Sequence, residues 1–246
     1  MIITPIRTKK VVLGDKLVDI LIGSIKELSE ESVIIITSKI VAITEGRVAP
    51  LTTNKEDLIR QEADRIFVND KTDPAWKFLL TMKDNIILPW AGIDESNSNG
   101  MFVLWPKNPM GSAEKIWQFL RKKFHLKHLG IIIADSTFLP LRTGSISVGI
   151  GWCGFVPVKS LIGQQDVFGK KLQYTNKGFV DSLAIAAGLT MGEASEQQPL
   201  AVITDIPGIK FVQRKPTKEE IDSMHYPLKN DTFGPLIEAV KWEKKL

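Results

Sequence analysis

Two uninterrupted aliphatic runs, Val33 to Ile36 (VIII) and the Gly130 to Asp135 segment (GIIIAD), constrain this chain more than any other feature. A strand with one wet face alternates apolar and polar residues; a short run that is β-branched throughout belongs to a strand buried on both faces. Such strands need helices to cover them. The sequence offers three: Asn54 to Phe67 behind an Asn cap, Ser112 to Phe124 with Glu114 in its first turn and Arg121, Lys122 and Lys123 in its last, and the Ala/Leu-rich Phe179 to Met191. Further strands are expected at Ile86 to Leu88, Met101 to Trp105 and Leu200 to Thr204, with a loop over the polar AGIDESNSNG segment (91–100). Gly144, Gly149, Gly151 and Gly154 lie among Ser, Val and Ile, which suits bulged strands or a close backbone approach. The expected fold class is therefore α+β, mixed sheets with packed helices.

With 246 residues, 43% of them hydrophobic, the chain has ample material for a core, as one large domain or two small intertwined ones. The reading adopted is a single catalytic unit over 1–246. Its 32 basic and 28 acidic residues are interspersed and leave a net charge of +4, with no basic block of the kind a nucleic-acid partner requires. A lone cysteine, Cys153, excludes an internal disulfide, and no apolar run reaches the ~20 residues of a membrane helix. A cytoplasmic protein with neither a nucleic-acid nor a membrane partner is expected.

Chemistry-bearing residues are few. Asp94, Asp135 and Glu193 each sit where an ordered element gives way to a polar, glycine-adjacent segment, and Ser136 follows Asp135 directly. Acids so placed suit Mg²⁺, a hard cation that takes oxygen ligands. Phosphates would need cations, and Lys39, the Arg7/Lys9/Lys10 cluster and Arg142 are candidates. Neither a Walker A string nor GxGxxG occurs, so a P-loop or Rossmann site is not expected. His125 and His128 read as a solvated helix terminus and Cys153 as a buried structural thiol, while Trp152 is a candidate wall for a flat substrate.

Five strings in register, AGIDESN (91–97), GSAEKI (111–116), IIIADSTFLPLRTG (131–144), GQQDVFGKKL (163–172) and DSLAIAAGLTMGE (181–193), resemble the coenzyme F-420:γ-glutamyl ligase family over residues 1 to 210. The resemblance implies a homodimeric ligase of two intertwined subdomains that uses GTP or ATP to activate an acceptor carboxylate and then couples L-glutamate to it. It also implies two Mg²⁺ or Mn²⁺ ions, with ligands at Asp94, Asp135, Ser136 and Glu193, and a site arginine at Arg142. Nucleotide contacts fall on Arg7, Thr8, Lys9, Lys10, Ser38, Lys39, Asn97, Met191, Gly192 and Glu193. Asp94, Asp135 and Arg142 are the expected catalytic set.

The sequence departs from the family pattern at three places. Thr137-Phe138-Leu139-Pro140 stand where a Gly-Arg step commonly follows the Asp-Thr pair, Ile43 replaces a lysine, and Ala194 to Gln198 replace a Gly-rich continuation. These changes, with the DSTFLPLRTG and WCGF strings, resemble a branch proposed to glutamylate folates, so a folate-type acceptor is expected, with the F-420 precursor as the alternative. A metal-dependent phosphohydrolase and a non-catalytic nucleotide-binding module are rival readings.

Overall fold

The computed structural model describes residues 1–68 and 79–244. In chain order the elements are β1 (Ile2–Ile6), α1 (Leu17–Ser24), β2 (Ser32–Thr37), α2 (Ser38–Thr44), β3 (Val48–Pro50), α3 (Lys55–Glu62), β4 (Arg65–Val68), β5 (Leu79–Lys83), β6 (Ile86–Pro89) and β7 (Met101–Val103). Then follow α4 (Pro109–Phe124), β8 (Leu129–Phe138), β9 (Ser145–Cys153), β10 (Val158–Ser160), β11 (Asn176–Gly178), α5 (Phe179–Met191), β12 (Leu200–Thr204), α6 (Lys218–Ser223), α7 (Gly234–Ala239) and β13 (Glu243–Lys244). The fold is α+β.

The two aliphatic runs are β2 and β8, and they pair in parallel at the centre of a five-stranded sheet ordered β1-β12-β2-β8-β9. Both faces are covered, as the lack of alternation requires. On one side Ile34, Ile36, Ile131 and Ile133 pack with Leu21, Val41, Trp117 and Leu120 from α1, α2 and α4. On the other Val33, Ile35 and Ile132 pack with Val180, Leu183 and Ala187 of α5. A second sheet, β13-β4-β5-β6, and the β3–β7 pair enclose a smaller core around Ile59, Ile66, Ile93 and Phe102.

The glycine strand is β9, and both expected reasons for its glycines hold. Pairing with β8 shifts register between Ile133 and Ala134, which face Gly151 and Gly149, so Ile150 is the extra residue of a bulge. A Cβ on Gly151 would lie 2.6 Å from the Pro109 backbone, and one on Gly149 would lie 2.2 Å from Val180. Helices α4 and α5 thus clamp this strand from its two faces.

Two helix bounds differ from expectation. The helix expected to reach Phe67 stops at Glu62, because Arg65–Val68 is taken up as β4 against β5, a partner that local periodicity does not reveal. Helix α4 begins at Pro109, three residues before Ser112, since Asn108 is the cap: its side chain accepts from the Gly111 N–H at 2.9 Å, and proline is suited to the first turn. The charged segment after Gln213 is mostly exposed, although Ile221 and Met224 pack against the α5 core.

Candidate active site

Strand direction gathers the site. Because β2 and β8 run parallel with Thr37 opposite Ala134, Ser38 and Lys39 emerge beside Asp135 and Ser136. Strand β12 enters at the same end, where Leu200 faces both Ile36 and Ile6, so the loop carrying Glu193 and the loop after β1 arrive there too. Carboxyl ends of parallel strands are where open α/β sheets place ligands.

Hydrogen bonds lace these loops together. The Thr8 N–H donates to the Gln197 carbonyl at 3.2 Å, and Gln197 Nε2 returns a bond to the Thr8 carbonyl at 2.5 Å. Asn97 Nδ2 donates to the Ala194 carbonyl at 2.8 Å, tying the AGID loop to the same segment. Ser136 Oγ donates to Glu193 Oε2 at 3.2 Å. The approach to Asp94 is strained: Trp90, Ala91 and Gly92 all have positive φ, and the Ala91 N–H donates to the buried Thr81 hydroxyl at 2.8 Å.

The two aspartates have unlike surroundings. Lys39 Nζ donates to Asp94 Oδ2 at 2.6 Å, to the Ser96 carbonyl at 2.7 Å and to Ser96 Oγ at 2.8 Å, so an ammonium occupies a small cage of oxygens. Burial alone would raise the Asp94 carboxyl, but Lys39 and the Ser96 N–H and hydroxyl hold it below the usual range. Asp135 accepts from the Ser38 hydroxyl, from its neighbour's N–H (Ser136, 3.0 Å) and from the Trp105 indole N–H. Among the described residues no cation hydrogen-bonds to it, and burial pushes its carboxyl up to about 6 against the pull of those donors and of the Lys39 charge.

The expected residues are thus partly assembled. Among the described residues no three His, Cys, Asp or Glu side chains stand close enough to form a metal-holding group. Ser136 meets Glu193, Asp135 meets Ser38, and Lys39 meets Asp94. Thr8 is buried and reaches the site through its backbone; Met191 lies in the α5 core, leaving Gly192 (φ 82) to turn the chain towards Glu193. Lys9 is paired with Asp15, while Arg7 and Lys10 are exposed. Arg142 is exposed in the β8–β9 turn, and no contact joins it to Asp135. Cys153 is buried, its thiol pushed up to about 12 by burial, and Trp152, on β9, packs in the α5-side core and also lines the cleft beside that strand. A cleft of about 1350 Å³ opens beside β9 and the start of α4, and none of Asp94, Asp135 or Glu193 lines it.

Sequence reasoning missed Trp105, Ser96 and Gln197. The available signal was slight: a buried tryptophan requires an acceptor for its N–H, and Trp105 stands just after an apolar run with none nearby in sequence.

The family model for F420-0:gamma-glutamyl ligase matches residues 5–205. The chain is 36% identical over 208 residues to the coenzyme F420:L-glutamate ligase of Methanosarcina mazei, covering 77% of this chain and 80% of that one. It is 29% identical over 218 residues to the enzyme of the same name from Methanothermobacter thermautotrophicus, covering 79% and 84%. A match running from β1 through β12 spans every loop that meets at the sheet's end, and the chain belongs to the F420-0:gamma-glutamyl ligase family, a family of acid–amino-acid ligases.

Proposed function

We propose that this ligase uses a nucleoside triphosphate to join L-glutamate by an amide bond to a carboxylate of a deazaflavin acceptor of the F420-precursor type. The observation that carries the reading is the convergence at one sheet end of Lys39, Asp94, Asp135, Ser136 and Glu193 with the Arg7–Lys10 and 192–198 loops. Relatives named for coenzyme F420 favour the deazaflavin over the folate-type acceptor that the sequence departures suggested. Product amide distinguishes this reading from a phosphohydrolase or a nucleotide-binding module.

In this reading Asp94, Asp135, Ser136 and Glu193 hold Mg²⁺ or Mn²⁺. The donor set fits: it is all oxygen, an ammonium already occupies part of it, and the Asp135 carboxylate lacks a hydrogen-bonded cation. Divalent ions bound there would supply charge neutralisation for triphosphate oxygens. Lys39, Ser38, Asn97 and the backbone of Thr8 and Gly192 then hold the nucleotide, assisted by Arg7 and Lys10. The acceptor carboxylate takes up the terminal phosphoryl group as the nucleoside diphosphate departs, and the glutamate amine, losing a proton, displaces phosphate from the resulting acyl phosphate. Arg142, exposed in a turn closed by its N–H donating to the Leu139 carbonyl at 3.2 Å, is assigned to substrate once a second subunit covers that face. A homodimer is proposed because Leu141, Val167 and Phe168 are wholly or nearly wholly exposed on the β8–β9 and β10–β11 arms.

The test is a mass-spectrometric assay with Mn²⁺, GTP or ATP, glutamate, and either the F420 precursor or dihydropteroate. A mass gain of one glutamate residue on the deazaflavin supports the proposal. Gain on the pteroate alone would restore the folate reading, and nucleotide binding without any amide would remove the ligase assignment.

A further inference from the structure

We propose that Trp105 is a positioning residue for catalysis, its indole N–H fixing the orientation of the Asp135 carboxylate. This rests on the reading of Asp135 as a metal ligand. Trp105 is 1% exposed, and its Nε1 donates to Asp135 Oδ2. A buried indole N–H needs an acceptor, and a main-chain carbonyl ordinarily suffices. Trp117 and the half-buried Trp242 donate to the carbonyls of Leu129 at 2.8 Å and Ile237 at 2.7 Å, while the buried Trp152 Nε1 has no partner among the described residues. Trp105 instead spends its donor on a functional carboxylate.

Trp105 is held at both its main chain and its ring. Arg47 Nε donates to the Trp105 carbonyl at 2.9 Å, and Arg47 is itself anchored at 2.6 Å to Glu62, which also accepts from Lys83 at 2.6 Å. Lys83 Nζ lies 5.8 Å from the centre of the Trp105 ring. On the remaining side is Gly92, where a Cβ would fall 2.0 Å from Trp105 Nε1. The glycine of AGID therefore has a specific duty: it leaves room for the indole nitrogen at the point where that nitrogen meets Asp135. One short motif thereby serves both aspartates, supplying Asp94 itself and the space through which Trp105 reaches Asp135. Through α3 and β5, the second sheet and its flanking helix brace a ligand carried by the first.

Partners that orient a metal-ligating carboxylate set its affinity for the ion by roughly 10- to 100-fold. The test is isothermal titration of the full chain with Mn²⁺ in the presence of the β,γ-imido analogue of GTP, alongside steady-state kinetics. Trp105→Phe keeps a ring but deletes the donor; Gly92→Ala keeps the donor but displaces it. Both should weaken Mn²⁺ binding about tenfold and lower kcat with little change in KM for glutamate. In an Asp135→Asn background, Trp105→Phe should have no further effect on Mn²⁺ affinity. A role in packing alone would lower the melting temperature and leave Mn²⁺ affinity at the wild-type value in both variants; that result overturns the proposal. If Asp135→Asn itself binds Mn²⁺ as wild type does, the ligand reading fails first and takes this inference with it.

Discussion

Asp94 and Asp135 reach one end of the sheet by opposite routes, and their surroundings differ accordingly. Asp94 arrives on a loop and meets Lys39, so its charge is matched within the protein. Asp135 is carried by a central strand into partly buried space where its hydrogen-bond donors are a hydroxyl, a main-chain N–H and an indole. The first arrangement favours the ionised carboxylate; the second makes ionisation costly. A protein gains nothing in stability from the second, so the difference separates a group that is satisfied by the fold from one that, on the function proposed above, is kept ready for an external cation.

The most severe way to break the comparison is Asp135→Asn. Turnover should fall at least about 10³-fold with loss of a charged ligand. Stability should move the other way. A carboxyl raised from 3.8 to about 6 costs the folded state on the order of 3 kcal/mol when ionised. Asparagine avoids part of that cost, and without divalent ions its melting temperature at pH 7.5 should exceed wild type by about 3–6 °C. The sign follows from the direction of shift. A folded pKa above the unfolded one gives a stability contribution fully present below about 3.8 and lost as pH rises through about 6. The advantage of the asparagine variant should therefore vanish as pH is lowered towards 4. A variant less stable than wild type at pH 7.5 would mean that Asp135 is not the strained member of the pair.

How far the sequence revealed these two regions follows the same division. The aliphatic runs of β2 and β8 and strand β12 are legible because burial on both faces leaves a local pattern, and helix α5 because its one buried face recurs at helical spacing. Asp94 and Glu193 were also legible, as polar residues beside apolar elements, whereas Asp135 lies inside β8, which runs on to Phe138, and not at the strand's end as expected. The partners of these acids were not legible. Lys39 and Asp94 are 55 residues apart, and Trp105 and Asp135 are 30 apart; nothing local announces which donor meets which carboxylate. Arg65–Val68 failed for the same reason, its strand state depending on β5.

Lys39→Met sharpens the comparison from the other side by making Asp94 resemble Asp135. Asp94 loses the ammonium that holds its carboxyl low, so stability present above the unfolded carboxylate pKa, and lost as pH falls, is removed. The Asp94 side chain is 48% exposed, so solvent screening limits the loss to about 1 kcal/mol or less. Nucleotide affinity should drop about tenfold as a phosphate contact disappears. Mn²⁺ affinity without nucleotide should instead rise, because ammonium and metal compete for the Asp94 and Ser96 oxygens; titration calorimetry showing weaker Mn²⁺ binding would contradict that competition.

The finest test deletes one hydroxyl from each carboxylate. Ser96→Ala removes the Oγ that donates to Asp94 at 2.7 Å, yet the Ser96 N–H still reaches Asp94 Oδ1 at 2.8 Å and Lys39 remains. The change should fall within about 0.5 kcal/mol. Ser38→Ala removes a buried hydroxyl from a carboxylate that no ammonium hydrogen-bonds, Lys39 acting on it only through space, which should cost about 1–2 kcal/mol at pH 7.5. That cost should shrink below pH 6, where the Asp135 carboxyl takes up its proton and no longer depends on every donor. Urea melts of the two variants at pH 7.5 and 5 measure both effects. Equal and pH-independent losses would show that the two carboxylates share one environment, and that the contrast between a matched charge and an unmatched one does not hold.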